Sequence, residues 1–323
     1  MSANVDPLPA HAPTARPGPG EVPEPDPGDR HRRRRRRERL LAAALLAPSA
    51  LVFAVFVFYP FARNIYLSLY STPPFPNLPS RFVGLSQYSQ VLGSHNFLNS
   101  LWVTALFVIY TVPAGLLAGL LLALLAHQKL KGIRVFRTVF ASPVATSVAV
   151  ASVIFFTLLN PQVGLFTYWL GQQNQLSVLD NPTWALVAVS VVTVWQNIGL
   201  SFILMSAGLQ AVPDELLEAC EIDGAKGWAR LRHVVVPLLS PTIFFAVVVG
   251  TILSLQSFGQ IDLLTQGGPL QRTNLLVYNI YDQVFNQNNE GRAAVMAIAL
   301  FFITLVLALI QIRLLERRVT YGS

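Results

Sequence analysis

Long apolar runs alternate with shorter polar segments along this chain. Six uncharged apolar runs are each long enough to cross a bilayer as a helix, which needs about 20 residues. They cover residues 40–61, 101–126, 139–159, 184–209, 238–258 and 293–312. None of them shows the period-two alternation of barrel strands. The pattern therefore predicts an all-α, polytopic membrane protein with six transmembrane helices.

The region before the first run differs in composition from the rest. Residues 1–39 are rich in proline, glycine and arginine, and such a segment buries too little apolar surface to offset its ordering entropy. We expect a disordered basic tail at 1–39 and one membrane domain at 40–323. The run Arg32–Arg37 directly precedes the first span. A nucleic-acid-binding arm is an alternative, but this position favours a topology anchor that contacts anionic lipid.

The basic residues also predict an orientation. With the N-terminus inside, the outer segments hold four of the 23 basic residues, and the inner segments hold all the others. The four outer residues are Arg63, Arg81, Arg272 and Arg292. Because inner loops carry the excess of lysine and arginine, we expect both termini to lie in the cytoplasm.

Composition and motifs exclude several functional classes. The chain is 53% hydrophobic and 12% charged, whereas soluble domains are about 25% charged, so lipid is the expected solvent. The sequence has no Gly-x-x-x-x-Gly-Lys-Ser/Thr phosphate loop. Its five histidines are scattered and its one cysteine is Cys220, which excludes a cysteine-rich metal site. We expect no catalytic residue, metal or cofactor in this chain.

The charged loop, residues 210–237, separates the fourth and fifth runs. Pro213 suits the first position of a helix, and the acidic residues after it suit the positive end of the helix dipole. Gly224 suits a helix end. The loop has a basic second half, as cytoplasmic loops do. We therefore predict a short cytoplasmic helix with an apolar surface that docks on another protein.

Three parts of the charged loop resemble the EAA motif of ATP-binding-cassette importer permeases: Glu218-Ala219-Cys220, Asp223-Gly224-Ala225 and Val236-Pro237. Further segments resemble the carbohydrate-uptake branch of that family. These are Phe82-Val83-Gly84-Leu85, and Gly267-Gly268-Pro269 with Thr273, Tyr278, Tyr281 and Phe285. The C-terminal Glu316-Arg317-Arg318-Val319-Thr320-Tyr321 is similar to Ugp-type permeases, which import glycerol-3-phosphate or glycerophosphodiesters.

The resemblance implies a bacterial plasma-membrane complex. The chain would pair with a second homologous permease subunit and contact two ATPase subunits, which would bind ATP and Mg²⁺. An extracytoplasmic substrate-binding protein would deliver the substrate, and no nucleic acid would be bound. The implied ATPase-coupling residues are Glu215, Glu218, Ala219, Cys220, Asp223, Gly224 and Pro237.

Polar residues inside the spans mark the predicted pathway, because lipid-facing positions penalise them. The candidates are Gln196, Asn197 and Ser201 in the fourth span and Ser254, Gln256, Ser257 and Gln260 at the fifth, with Thr146 and Ser147 weaker. The resemblance implies substrate contacts at Val144, Val148, Asn197, Leu200, Ser254 and Ser257. Hydrogen bonding between helices is the alternative role for these polar groups.

The resemblance implies half of a translocation pathway for glycerol-3-phosphate or for glycerophosphodiesters such as glycerophosphocholine. A disaccharide of the maltose or trehalose type is the alternative substrate, and a non-transporting membrane scaffold is a remote alternative function. The predicted pathway contains no basic residue, and a phosphate dianion prefers arginine, lysine or helix N-termini around it. A zwitterionic diester or a neutral sugar therefore suits it better.

Overall fold

The computed structural model describes residues 27–71, 73, 79–127, 132–160, 164, 165, 168, 177–213, 215, 216, 220 and 227–316. The chain divides into two units, Met1–Phe61 and Ala62–Ser323. Most described residues are helical, and two short antiparallel strands, β1 (Tyr70–Ser71) and β2 (Arg81–Phe82), pair Tyr70 with Phe82. The predicted all-α class is confirmed.

The first unit consists of α1 (Pro27–Phe53), a π-helical turn at Ala54–Phe58 and the start of α2 (Tyr59–Leu67). Helix α1 begins thirteen residues before the first apolar run, so residues 27–39 are helical, although their composition predicts a disordered tail. The physical reason is cooperativity: the span supplies the helix nucleus, and arginine, a good helix former, then extends it at little cost. Residues 1–26 lie outside the described part.

The second unit contains the remaining helices. Those whose bounds fall within the described residues are α3 (Ser86–Leu92), α4 (His95–His127), α5 (Ile133–Ala141), α6 (Val148–Leu158), α7 (Ala185–Gln210), α8 (Trp228–Arg230), α9 (Val236–Leu238), α10 (Ser240–Leu255), α11 (Gly259–Leu264), α12 (Leu276–Phe285) and α13 (Glu290–Glu316). Short 3₁₀ turns cover Ser142–Ala145 and Val178–Asp180, and a π-helical turn covers Leu231–Val235.

Four helical segments of the described chain are long and apolar enough to span a membrane as single elements: Arg37–Leu67, His95–His127, Ala185–Gln210 and Glu290–Leu314. Two further spans form only if each of two bent pairs is counted as one. Ile133–Ala145 and Val148–Leu158 meet at 100°, and Trp228–Leu238 and Ser240–Leu255 meet at 71°. The predicted third and fifth spans are therefore broken rather than straight.

Local chemistry explains both breaks. In the third span, Pro143 lies in the 3₁₀ turn, Thr146 is extended (φ −82°, ψ 129°), and Ser147 caps α6 by accepting a hydrogen bond from the Val150 amide. In the fifth span, Pro237 and Pro241 flank the bend, and proline cannot donate the helical hydrogen bond. Helix α10 then ends at Leu255, so the end of the predicted fifth span lies beyond it.

The core is built on the crossing of α4 and α7. Small residues at the crossing let the two backbones approach, because a Cβ added to Gly119 would lie 2.5 Å from the Ser201 Cβ. One apolar cluster around Phe107, Val189 and Ile261 packs on one side of this crossing. A second, around Met205 and Leu239, packs on the other.

Candidate functional site

A cavity of about 30 Å³ lies where α4, α7 and α10 meet. A space of this size holds one or two water molecules. Four residues of the predicted pathway line it: Asn197, Leu200, Ser201 and Ser254. The sequence places these residues on two different spans, and the fold brings them to one surface.

Two hydroxyl residues of the cavity wall, Thr111 and Thr193, are absent from the sequence-based set. A single threonine in an apolar helix usually bonds to the carbonyl four residues earlier, and both residues do so. The spacing between Thr111 and Gly115 could have marked Thr111 in the sequence, because residues four apart lie on the same face of a helix. That pattern marks a face closely approached by another helix.

Thr111 also joins two helices through a buried hydroxyl pair. Its Oγ1 donates to the Phe107 carbonyl at 2.7 Å and lies 2.8 Å from the Ser254 Oγ. Because the threonine proton is already used, Ser254 donates to Thr111. Ser254 and Thr111 are both buried, so this pair sets the distance between α4 and α10 at the cavity.

A second polar chain connects the two broken spans. Ser257 Oγ donates to Gln260 Oε1 at 2.8 Å, and Gln260 Nε2 donates to Gln196 Oε1 at 2.9 Å. Gln196 Nε2 then donates to the Thr146 carbonyl at 3.4 Å. The Thr146 carbonyl lies at the break of the third span, where regular helical bonding stops, so the chain satisfies an otherwise costly group.

This second chain gives three predicted pathway residues hydrogen-bond partners within the protein. Gln196, Ser257 and Gln260 are each less than a tenth exposed. Their amide and hydroxyl groups bond to one another, which matches the alternative role of helix–helix bonding. Gln196 and Asn197 are neighbours in sequence but have different surroundings, because successive residues of a helix point about 100° apart.

The remaining predicted contacts lie outside both groups. Gln256 follows the last residue of α10 and is exposed. Val144 and Val148 are 49% and 36% exposed. Each contacts a glycine: Val144 packs against Gly199, and the Val148 Cγ1 would lie 2.7 Å from a Cβ at Gly259. Their exposed sides remain available to a ligand or a partner chain.

An aromatic group lies beyond the second polar chain. Phe258 and Tyr281 have ring centroids 4.8 Å apart, and Tyr281 and Phe285 follow at 4.7 Å. Burial, with a smaller contribution from Asp262 and Asp282, raises the pKa of Tyr278 in this group. Tyr278 therefore keeps its proton at neutral pH.

Part of the charged loop lies outside the described residues: Glu218, Ala219, Asp223 and Gly224. Glu215 is helical and exposed, and Cys220 is helical, half-buried and a free thiol. Pro237 is exposed in α9. Its neighbours Val235 and Leu239 are buried with Met205 in the core, so the end of the loop is anchored beneath α7.

The cavity is electrically neutral. The described residues that line it include no aspartate, glutamate, lysine or arginine. Its polar groups are the four hydroxyls of Thr111, Thr193, Ser201 and Ser254 and the amide of Asn197. These groups bind hydroxyl-bearing ligands by hydrogen bonds but do not neutralise an ion.

Comparison with known proteins identifies the family. Residues 82–321 match the model of the binding-protein-dependent transport system inner membrane component. The chain belongs to this family of importer permeases. Family membership makes it a membrane-embedded permease subunit and favours transport over the scaffold alternative.

Curated relatives match this chain over nearly the whole of their own length. The sn-glycerol-3-phosphate transport system permease protein UgpA of Rhizobium meliloti (strain 1021) is 37% identical over 286 residues, covering 88% of this chain and 97% of that protein. UgpA of Escherichia coli O157:H7 is 33% identical over 285 residues, covering 88% and 96%. These similarities confirm the resemblance to Ugp-type permeases.

Solved structures agree on the fold. A chain of a bacterial ABC transporter involved in the import of the acidic polysaccharide alginate superposes with a TM-score of 0.75 at 22% identity, covering 89% of this chain and 99% of that one. The same type of transporter in complex with an alginate pentasaccharide-bound periplasmic protein gives a TM-score of 0.74 at 20% identity, covering 89% and 98%. At this level of identity the likeness concerns the fold alone.

Proposed function

We propose that this chain forms half of the translocation pathway of a binding-protein-dependent importer for glycerol phosphate compounds. The observation that carries the proposal is the similarity to UgpA permeases over 88% of the chain. A second permease subunit forms the other half, and two partner ATPases bind ATP and Mg²⁺. An extracytoplasmic protein delivers the substrate, and both termini face the cytoplasm.

Within that class, we favour a glycerophosphodiester such as glycerophosphocholine over glycerol-3-phosphate. The cavity holds only one or two water molecules, so a substrate would contact its wall, which offers Asn197, Thr111 and Ser254 but no cation. A phosphate dianion there would lack a counter-charge, whereas a zwitterionic diester carries its own. If glycerol-3-phosphate is the substrate, the second permease supplies the basic group.

A disaccharide is the second candidate substrate. The neutral, hydroxyl-bearing wall of the cavity supports it, since sugars are bound through neutral hydrogen-bonding groups. The aromatic group of Phe258, Tyr281 and Phe285 also supports it, because aromatic faces pack well against the apolar faces of sugar rings.

The charged loop transmits ATPase movement to the spans in this proposal. Its first helix, which includes Glu215 and Cys220, docks on an ATPase subunit, and Glu218 supplies a charge partner. Ala219 and Cys220 permit close approach, Gly224 permits the turn, and Pro237 joins the loop to the fifth span. The buried Val235 and Leu239 support this function, because they connect the end of the loop to the core below α7.

The experiment is substrate-stimulated ATP hydrolysis and uptake by the complete importer reconstituted with its binding protein. Glycerol-3-phosphate, glycerophosphocholine, maltose and trehalose are compared. Stimulation by glycerophosphocholine supports the proposal, and stimulation by a disaccharide alone contradicts it.

The pathway assignment is tested separately in the same system. Asn197→Ala should lower uptake at least tenfold while the complex still assembles. Asn286→Ala, which changes an exposed asparagine outside the spans, is the matched control. Unchanged uptake by Asn197→Ala would show that this side chain does not contact the substrate.

A further inference from the structure

A second cavity, which we call the flank groove, has a volume of about 280 Å³ and lies between α4 and the start of α7. On α4 it is lined by Trp102, Leu106 and Tyr110. These residues lie on a different face from Thr111 and Gly115 of the pathway cavity, since a helix turns about 100° per residue. The flank groove is therefore separate from the proposed pathway.

The polarity of the flank groove changes along its length. Asn99, Thr183 and Arg272 line one end, and Leu106 and Tyr110 line the other. From residue 99 to residue 110 helix α4 rises about 16 Å, roughly half the thickness of a bilayer's hydrocarbon core. The polar end lies at the outer ends of α4 and α7 in the proposed orientation. The groove thus follows the polarity profile of one leaflet.

The loop that carries Arg272 is held in place by several hydrogen bonds. Thr273 Oγ1 donates to the Gly268 carbonyl at 2.6 Å and lies 2.7 Å from the Thr265 Oγ1. Asn99 Nδ2 donates to the Gln271 carbonyl at 3.2 Å, which ties the loop to α4. Gln271 has a φ of 59°, a left-handed conformation that such bonds maintain. The loop therefore presents its arginine at a defined place.

Arg272 itself is exposed, and it forms no ion pair with any residue that the structure describes. A guanidinium group at the membrane interface pairs well with a phosphate, because its planar donors match two phosphate oxygens. Trp102, which is 62% exposed, lies beside it. Tryptophan is enriched at the level of lipid headgroups.

We propose that the flank groove binds an anionic phospholipid of the outer leaflet, with its phosphate on Arg272 and an acyl chain along Trp102, Leu106 and Tyr110. The assignment to the outer leaflet rests on the proposed orientation of the chain. A small phosphorylated substrate would pair with Arg272 but would leave the apolar half of the groove uncovered, whereas a phospholipid covers both halves. The lipid would act as a fixed part of the contact between α4 and α7.

The test is the number of phospholipids retained by the complete importer, measured by native mass spectrometry after release from nanodiscs. The nanodiscs contain either phosphatidylglycerol or phosphatidylcholine. Each wild-type complex from phosphatidylglycerol nanodiscs should retain at least one more lipid than a complex from phosphatidylcholine nanodiscs. Arg272→Gln should lose that lipid, and Arg81→Gln, the matched change of another exposed outer arginine, should keep it.

A second variant tests the apolar half of the flank groove, and it keeps the proposal testable if Arg272→Gln misfolds. Leu106→Trp fills the groove and keeps the charge, so it should also lose the lipid. Equal retention by the wild type, Arg272→Gln and Leu106→Trp would overturn the proposal. Efficient cross-linking of the Trp102→Cys variant to the second permease would also overturn it, because the groove would then be covered by the second permease and not by lipid. Displacement of the retained mass by inorganic phosphate would likewise overturn it, because the site would then bind free phosphate.

Discussion

The close approach of α4 and α7 at Gly119 predicts that one added methyl group destabilises the bundle. A Cβ at Gly119 would lie 2.5 Å from the Ser201 Cβ, 2.8 Å from the Ser201 carbonyl carbon and 3.0 Å from the Phe202 nitrogen. Ordinary contacts of a Cβ are 3.4–4 Å. The atoms in conflict include backbone, so relief requires the two helices to move apart by about 1 Å.

The expected cost follows from two opposing effects of Gly119→Ala. Overpacking of this kind costs about 1–3 kcal/mol. Replacing glycine by alanine inside a helix returns about 0.5–1 kcal/mol. With mid-range values the net loss is about 1 kcal/mol, which lowers the unfolding midpoint by roughly 2–4 °C. Uptake should fall as well, because Ser201 lines the pathway cavity.

The assay is the thermal unfolding midpoint of the purified complex, with uptake measured in parallel. Gly115→Ala is the matched control, since it adds the same methyl group one turn earlier on the same helix. Its nearest neighbour, the Ser201 Oγ, lies 3.9 Å away, so Gly115→Ala should keep or raise the midpoint. An unchanged midpoint for Gly119→Ala, or an equal loss for both variants, would refute the reasoning.

Three further predictions concern the polar groups and the charged loop. Gln260→Leu leaves the Gln196 Oε1 and the Ser257 hydroxyl without their partner, so the free energy of unfolding should fall by about 1–3 kcal/mol. An unfolding midpoint equal to that of the wild type would show that this chain of hydrogen bonds contributes nothing to stability. Thr111→Val removes the acceptor for Ser254 and should lower the uptake rate, whereas Thr111→Ser should retain it; equal rates for the two variants would contradict this role. Gly224→Val should leave ATP hydrolysis running without uptake, and normal coupling in this variant would disprove the proposed transmission through the loop.

Much of the candidate site followed from single residues of the sequence. Asn197 and Ser254 are polar groups in otherwise apolar spans, and a bilayer tolerates such groups chiefly on internal surfaces. Both residues line the cavity. Polarity alone does not distinguish a residue that faces a cavity from one that bonds to a neighbouring helix. Ser257 and Gln260 belong to the second kind in this fold.

Hydropathy alone determined the all-α class, the number of apolar segments and their places in the chain. Backbone N–H and C=O groups must be hydrogen-bonded in lipid, and this leaves long apolar runs few alternatives to helices. Only the tertiary structure decided where the third and fifth spans bend and which polar groups satisfy the backbone at Thr146. It also decided that Thr111 pairs with Ser254, 143 residues away. Such pairings depend on the angle and distance at which helices cross, and those are set by contacts between residues far apart in the chain, which a local pattern does not encode.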